Sequence, residues 1–133
     1  GDDVGAVVVQ SKRQPGDPAS VGFATTKEHR VTFARAYPDI DMSTVVVHHA
    51  VERNALRRFR GLFDEYELHS IENLRGIPND VNAEIHLSAI RRSWDAFRER
   101  FVELGRQPTK QEVLDHATHI DDLYGHLFTP RER

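Results

Sequence analysis

The sequence predicts an α+β fold that is mostly helical, and three observations carry that prediction. Ile90, Trp94, Phe97, Phe101 and Leu104 recur at alternating helical spacings, which draws one apolar stripe along a long helix. Thr109 and Glu112 form a capping-box pattern ahead of a further helix. Against these helices, the β-branched run Val45 to Val47 is the clearest strand. A chain of 133 residues has the size of a single domain with one core.

Taken in order, residues 1–20 read as a lead-in or linker, because "QSKRQPGDPAS" is rich in Pro, Gly and Ser. Residues 21–133 then form the domain. In "TTKEHRVTFARAYP", Thr25 and Glu28 fit a capping box and Pro38 stops a short helix. "TVVVHH" supplies a strand over Thr44–His48. "AVERNALRRFRGLF" has apolar Val51, Ala55, Leu56 and Phe59 at helical spacing, closed by Gly61. "DEYELHSIENL" predicts a short helical turn with Asp64 near its start. "NLRGIPND" predicts a turn or a short strand that ends abruptly at its Gly and Pro. The long helix covers about 81–104 and ends at Gly105. The C-terminal helix covers about 109–125, with apolar Val113, Leu114, Ala117 and Ile120 and a stop at Gly125.

Composition narrows the function. With 38% hydrophobic and 29% charged residues the chain is too apolar for disorder. No apolar run is long enough to span a bilayer, so no membrane role is expected. The start, "GDDVGAVVVQ", carries no secretory signal, and its Gly1 predicts a piece of a larger polypeptide. Cysteine is absent, which excludes disulfides and thiolate metal sites and leaves His, Asp, Glu or Asn as ligands. A chain without thiols is also indifferent to the redox state of the compartments it crosses. The net charge of -3 argues against simple coating of nucleic acid, since phosphate neutralisation needs a positive balance.

The residues that draw attention to chemistry are His48 and His49, side by side where strand gives way to helix. Consecutive strand residues point to opposite faces, so the two imidazoles can serve different purposes. A hydrolytic metal site needs ligands for a divalent cation, a base with a pKa near neutral, for which imidazole fits best, and a group that orients the base. His86 sits beside the long helix's apolar stripe, as a facing ligand would.

"VVVHHAV", "ENLRGIP" and "NAEIHLSAIRRSW", in this order, resemble the ββα-metal (His-Me) finger of the HNH, endonuclease VII-like nucleases. Colicin-type nucleases and C-terminal toxin domains of Rhs and other polymorphic toxins belong to that group. The resemblance implies a ββα-metal core over about 44–104 with flanking helices. It implies His48 as a metal ligand, His49 as the general base, and His86 as the helix ligand. Asn73 matches the asparagine that either orients the base or binds the metal. Arg91 and Arg92 are implied phosphate contacts; the helical insertion before Asn73 departs from the shortest family members, and its Arg57 and Arg58 could add substrate contacts. One divalent ion is expected: Zn, Ni or Mn suits imidazole better than Mg. Relatives that carry a second helix histidine place it about where Ile90 stands here.

The expected function is therefore a metal-dependent DNase toxin domain, the C-terminal part of a secreted interbacterial effector. It would act in the target-cell cytoplasm and be restrained at home by a cognate immunity protein. An RNase or tRNase on the same finger is one alternative, and a non-catalytic helical interaction module is another. His116 and His119 could form a second metal site with Asp115, Asp121 and Asp122, but a polar helix face explains them more simply. His69, close to Asn73 in sequence, could assist or bind the metal, but packing near a helix end explains it more simply. The arginines of "RRFR" read equally as a solvated, salt-bridged face.

Overall fold

The computed structural model describes residues 16–130. Its centre is a two-stranded antiparallel sheet, β1 (Val45–His49) and β2 (Leu74–Pro78), in which His48 faces Arg75 and His49 faces Leu74 across the ladder. Around it lie α1 (His29–Ala36), the single turns α2 (Ala55–Arg58) and α3 (Glu65–Leu68), and a long helical segment. That segment runs as α4 (Asn79–Glu84), a π turn (Ile85–Ile90) and α5 (Arg91–Leu104), and α6 (Lys110–Tyr124) follows. The α+β, mostly helical class expected from the sequence is the class observed.

The period-2 alternation of strands explains the two layers. Val45, Val47 and Leu74 turn to one face and pack with Phe33 of α1 in a small apolar cluster. Ile77 turns to the other face and joins the main core with Ile85, Ile90, Trp94, Phe97, Phe101, Val113, Ala117 and Ile120. Full burial of a side chain such as Phe97 contributes about 1.5–3 kcal/mol, so this helical layer carries most of the apolar stabilisation. Leu104, the last member of the predicted stripe, is instead 58% exposed. Gly105, at φ 70°, adopts the left-handed conformation that ends the helix just beyond it.

Caps decide several boundaries. Thr109 and Glu112 form the expected capping box on α6, and Asp64 and Glu67 form a second one on α3. The box expected at Thr25 and Glu28 does not form. Glu28 is the N-cap of α1 without a side-chain bond, and its own N–H is held by the Thr26 hydroxyl. The helix expected over Val51–Phe59 shrinks to the single turn α2, because Val51 is drawn to Asn73 and no side chain caps the turn. Residues 16–20, the end of the expected linker, lie on α6: the Gly16 and Ala19 N–H groups donate to Asp122 and Thr118. The rest of the lead-in, 1–15, lies outside the described residues.

Gly76 shows why a strand residue must sometimes lack a side chain. It bridges to Thr129, whose N–H donates to the Gly76 carbonyl at 2.7 Å, and a Cβ there would strike the Thr129 carbonyl and the Phe33 ring. The C-terminal segment thereby closes over the sheet.

Candidate functional site

Strand alternation sends the two histidines to different faces of the sheet. His48 points toward the long helical segment, where its ring centroid lies 4.6 Å from that of His86 at an interplanar angle of 68°. His49 points toward α1 and α3, with ring centroids 4.6 Å from His29 and 5.1 Å from His69. At the strand end both faces open on one cavity of about 330 Å³. It is lined by His29, His48, His49, His86, Arg91 and Arg53, among others, with Ile90 and Trp94 as apolar wall.

His48 is 3% exposed, and neither of its ring nitrogens has a hydrogen-bond partner among the described residues. Buried polar atoms are ordinarily satisfied, so an imidazole left open on both sides beside another imidazole fits a cation ligand. His86 is prepared in a complementary way. Its Nδ1 lies 3.2 Å from the Asn82 side-chain oxygen, which can only accept, so Nδ1 carries the proton and Nε2 keeps its lone pair.

The chain keeps these rings neutral. Burial drives the His48 pKa well below the usual histidine value, with smaller contributions from His86 and Arg75. Burial, followed by the neighbouring His29 and His69, lowers His49 to about 3, which keeps it unprotonated but well below the near-neutral pKa expected of a general base. Burial and then Arg91 lower His86, and burial and then His69 lower His29. Neutral imidazole is the form that binds metal or accepts a proton.

Asn73 is buried and its side chain is turned to the backbone. Its Oδ1 accepts from the Val51 N–H at 2.8 Å, and its Nδ2 donates to the carbonyls of Leu68 at 2.9 Å and Val51 at 3.1 Å. Its own carbonyl accepts from Ala50 at 2.8 Å. Asn73 therefore ties the chain leaving β1 to the start of β2 and fixes where His48 and His49 emerge. It does not line the cavity, and the alternative in which it ligates the metal does not fit this geometry.

The arginines divide. Arg91 lines the cavity, whereas Arg92 bonds the Ser88 hydroxyl and is not part of the lining. Arg57 is held by the Asn54 side chain at 3.1 Å, and Arg58 is paired with Asp95 at 3.4 Å. Arg53, beside them in sequence, reaches the cavity instead. The second metal site considered at His116 and His119 is not assembled. The His116 Nε2 meets the Ser93 hydroxyl at 3.0 Å with its ring against Trp94 and Phe97, and Asp121 is bound to Arg75.

Sequence reasoning passed over His29 and treated His69 as packing. Candidate ligand nitrogens of His29, His49 and His69 lie within 4.8 Å of one another, close enough to hold one metal ion. No spacing rule joins residue 29 to residue 49; only the docking of α1 on β1 does. His69 did carry a signal, four residues before Asn73 in "ELHSIEN". No helix among the described residues is long and apolar enough to cross a membrane. Compared with protein-family models, with curated proteins and with solved structures, the chain matches none.

Proposed function

We propose that this chain is a metal-dependent nuclease domain that hydrolyses phosphodiester bonds in DNA. The observation that carries the proposal is the buried imidazole of His48, without a hydrogen-bond partner among the described residues, set against His86 in the lining of one cavity that His49 also lines. The order of β1 with His48 and His49, the turn ending at Asn73 before β2, and the helical segment with His86 supports the ββα-metal reading drawn from the motifs.

His48 and His86 would hold the divalent cation, with Zn, Ni or Mn preferred over Mg for imidazole ligands. Once bound, such an ion neutralises the phosphate and stabilises the leaving oxygen. His49, neutral and close to the same opening, takes the proton from the attacking water. Arg91 and Arg53 border the cavity and offer guanidinium groups to the phosphate backbone. Asn73 keeps both histidines in register through the backbone. Delivery as a secreted antibacterial effector and restraint by an immunity protein rest on the motif resemblance.

A second reading places the ion between His29, His49 and His69, and their mutual proximity favours it. The two sites separate experimentally. In the main reading His48→Ala and His86→Ala abolish cation binding while His29→Ala retains it; the second reading requires the reverse.

The activity test uses plasmid DNA and total RNA, with Zn²⁺, Ni²⁺, Mn²⁺ or Mg²⁺ and with EDTA. The expected result is cation-dependent plasmid cleavage that falls about 10²–10⁴-fold in folded His49→Ala. Cleavage of RNA alone assigns the same site to an RNase. Full activity of His49→Ala removes it as the base, and absence of both cleavage and cation binding leaves a helical interaction module.

A further inference from the structure

We propose that His69 and Glu65 are positioning residues that hold His49 in a single tautomer, with Nε2 protonated and Nδ1 left as the proton-accepting atom. The proposal deepens the nuclease reading and rests on it for the chemistry, but the hydrogen-bond chain stands on geometry alone.

The chain begins at a carboxylate. Glu65 Oε1 is 3.2 Å from the Lys27 ammonium, and Oε2 is 3.4 Å from the His69 Nε2. Hydrogen bonds from Lys27 and then from His69 hold the Glu65 carboxyl below its ordinary range, so it is ionised and can only accept. The His69 Nε2 must therefore carry the proton. A neutral imidazole has one N–H, which leaves the His69 Nδ1 with a lone pair. That lone pair faces the His49 Nε2 at 3.1 Å in a buried contact, so His49 donates through Nε2. Its Nδ1 is then the only nitrogen able to take a proton. With both rings neutral, each step follows from the one before, because a carboxylate cannot donate and a neutral ring has one proton to place.

The scaffold supports this assignment. The Asp64–Glu67 capping box fixes α3, which sets Glu65 and His69 one turn apart on the same side. Asn73 binds the Leu68 carbonyl just before His69, and the Ser70 hydroxyl just after it is anchored to the Glu67 carbonyl. His69 is 1% exposed and has no freedom to turn away. A metal clamp on the same three histidines is less well served. The His29 and His69 rings are stacked with an interplanar angle of 10°, so their in-plane lone pairs run along parallel planes rather than toward one point.

Nitrogen-15 NMR of the metal-free chain reads the tautomers directly, with His49→Gln and His69→Asn assigning the signals. The expected result is protonated Nε2 and bare Nδ1 in both rings; a protonated Nδ1 on His49 overturns the proposal. Kinetics add a second arm. His69→Leu keeps the volume without the acceptor and should lower kcat about 10–100-fold with KM and cation affinity unchanged. His69→Asn places an amide oxygen near the lost Nδ1 and should restore most of the rate. A purely packing role predicts the opposite order, since leucine fills a buried site better than asparagine. Glu65→Leu should show a milder kcat loss than His69→Leu, and wild-type kcat there removes Glu65 from the chain. If no polymer is cleaved the nuclease reading fails, and the NMR result still decides the hydrogen-bond chain.

Discussion

Replacing Arg75 with methionine should be the most damaging single change away from the cavity. Arg75 lies on β2 opposite His48, and its guanidinium binds Asp121 of α6 through two parallel hydrogen bonds of 3.0 and 2.8 Å. It also donates to the carbonyls of Glu72 and Leu74 at 2.8 and 3.0 Å. The Asp121 side chain is 1% exposed, so Arg75→Met leaves a carboxylate in a buried site without this cation. Breaking such a pair costs about 3–5 kcal/mol, most of it the penalty of the stranded charge. Against a total stability of about 5–15 kcal/mol, that is about a fifth or more. For a domain of this length it corresponds to a Tm drop on the order of 10–20 °C.

Urea unfolding at pH 7, followed by far-UV circular dichroism, measures the effect in four chains: wild type, Arg75→Met, Asp121→Leu and the double variant. The double variant should be more stable than Arg75→Met, because apolar partners of similar size remove the buried charge. Arg75→Met should also be worse than Asp121→Leu, since it alone gives up the two carbonyl contacts. A cost below about 1 kcal/mol for Arg75→Met would falsify the reasoning, as would strict additivity in the double variant.

Three further expectations follow from the same geometry. Isothermal titration with Zn²⁺ or Ni²⁺ should show binding lost in His86→Ala and weakened about 10–100-fold in Asn82→Ala, whose oxygen orients His86; unchanged affinity in Asn82→Ala refutes that orientation. Burial, and then His119, lower the His116 pKa from 6.5 to about 4, so on acidification the unfolded chain takes up this proton first. Its penalty is absent above pH 6.5 and grows down to about pH 4, amounting to about 1–2 kcal/mol at pH 5 after allowance for partial exposure. Comparing urea stability at pH 7 and pH 5 in wild type and His116→Leu checks this, and equal pH slopes count against it. Thr109→Ala should cost about 1 kcal/mol by removing the α6 cap, visible as a lower urea midpoint at constant m-value.

How much was legible in the sequence depended on how local the cause was. The valine run, the Thr109 box and Gly105 act within a few residues, and their elements appear within one or two positions of expectation. The approach of His86 to His48 was also legible, because strand alternation and helix phase are written in spacing, whereas the turning of Asn73 to the backbone was not. Failures came where tertiary demand overrode local pattern. Val51 looked like a helix residue but is bonded through its N–H and carbonyl to Asn73, 22 positions away. The Thr25–Glu28 box was a valid pattern without a helix to cap, because the helix starts at His29. The meeting of His29, His49 and His69 depends on α1 and α3 docking against the same strand end, which no periodicity encodes.

The π turn shows how the long helix reconciles packing with chemistry. Ile85 and Ile90, its first and last residues, are both buried in the main core, while His86 and Arg91 face the cavity. In a regular α-helix, residues five apart are out of phase by about 0.4 of a turn, so His86 and Arg91 would look in different directions. Closing the backbone from i to i+5 instead brings that pair toward one face. Arg91 is then near enough to help lower the His86 pKa, after burial, which favours the neutral imidazole that a cation requires. Ile90 occupies the place where some relatives of the resembled family keep another histidine, and here it serves the core and the cavity wall instead. The widened turn thus supplies an imidazole and a guanidinium from one side of the helix, leaving its buried stripe free to hold the domain together.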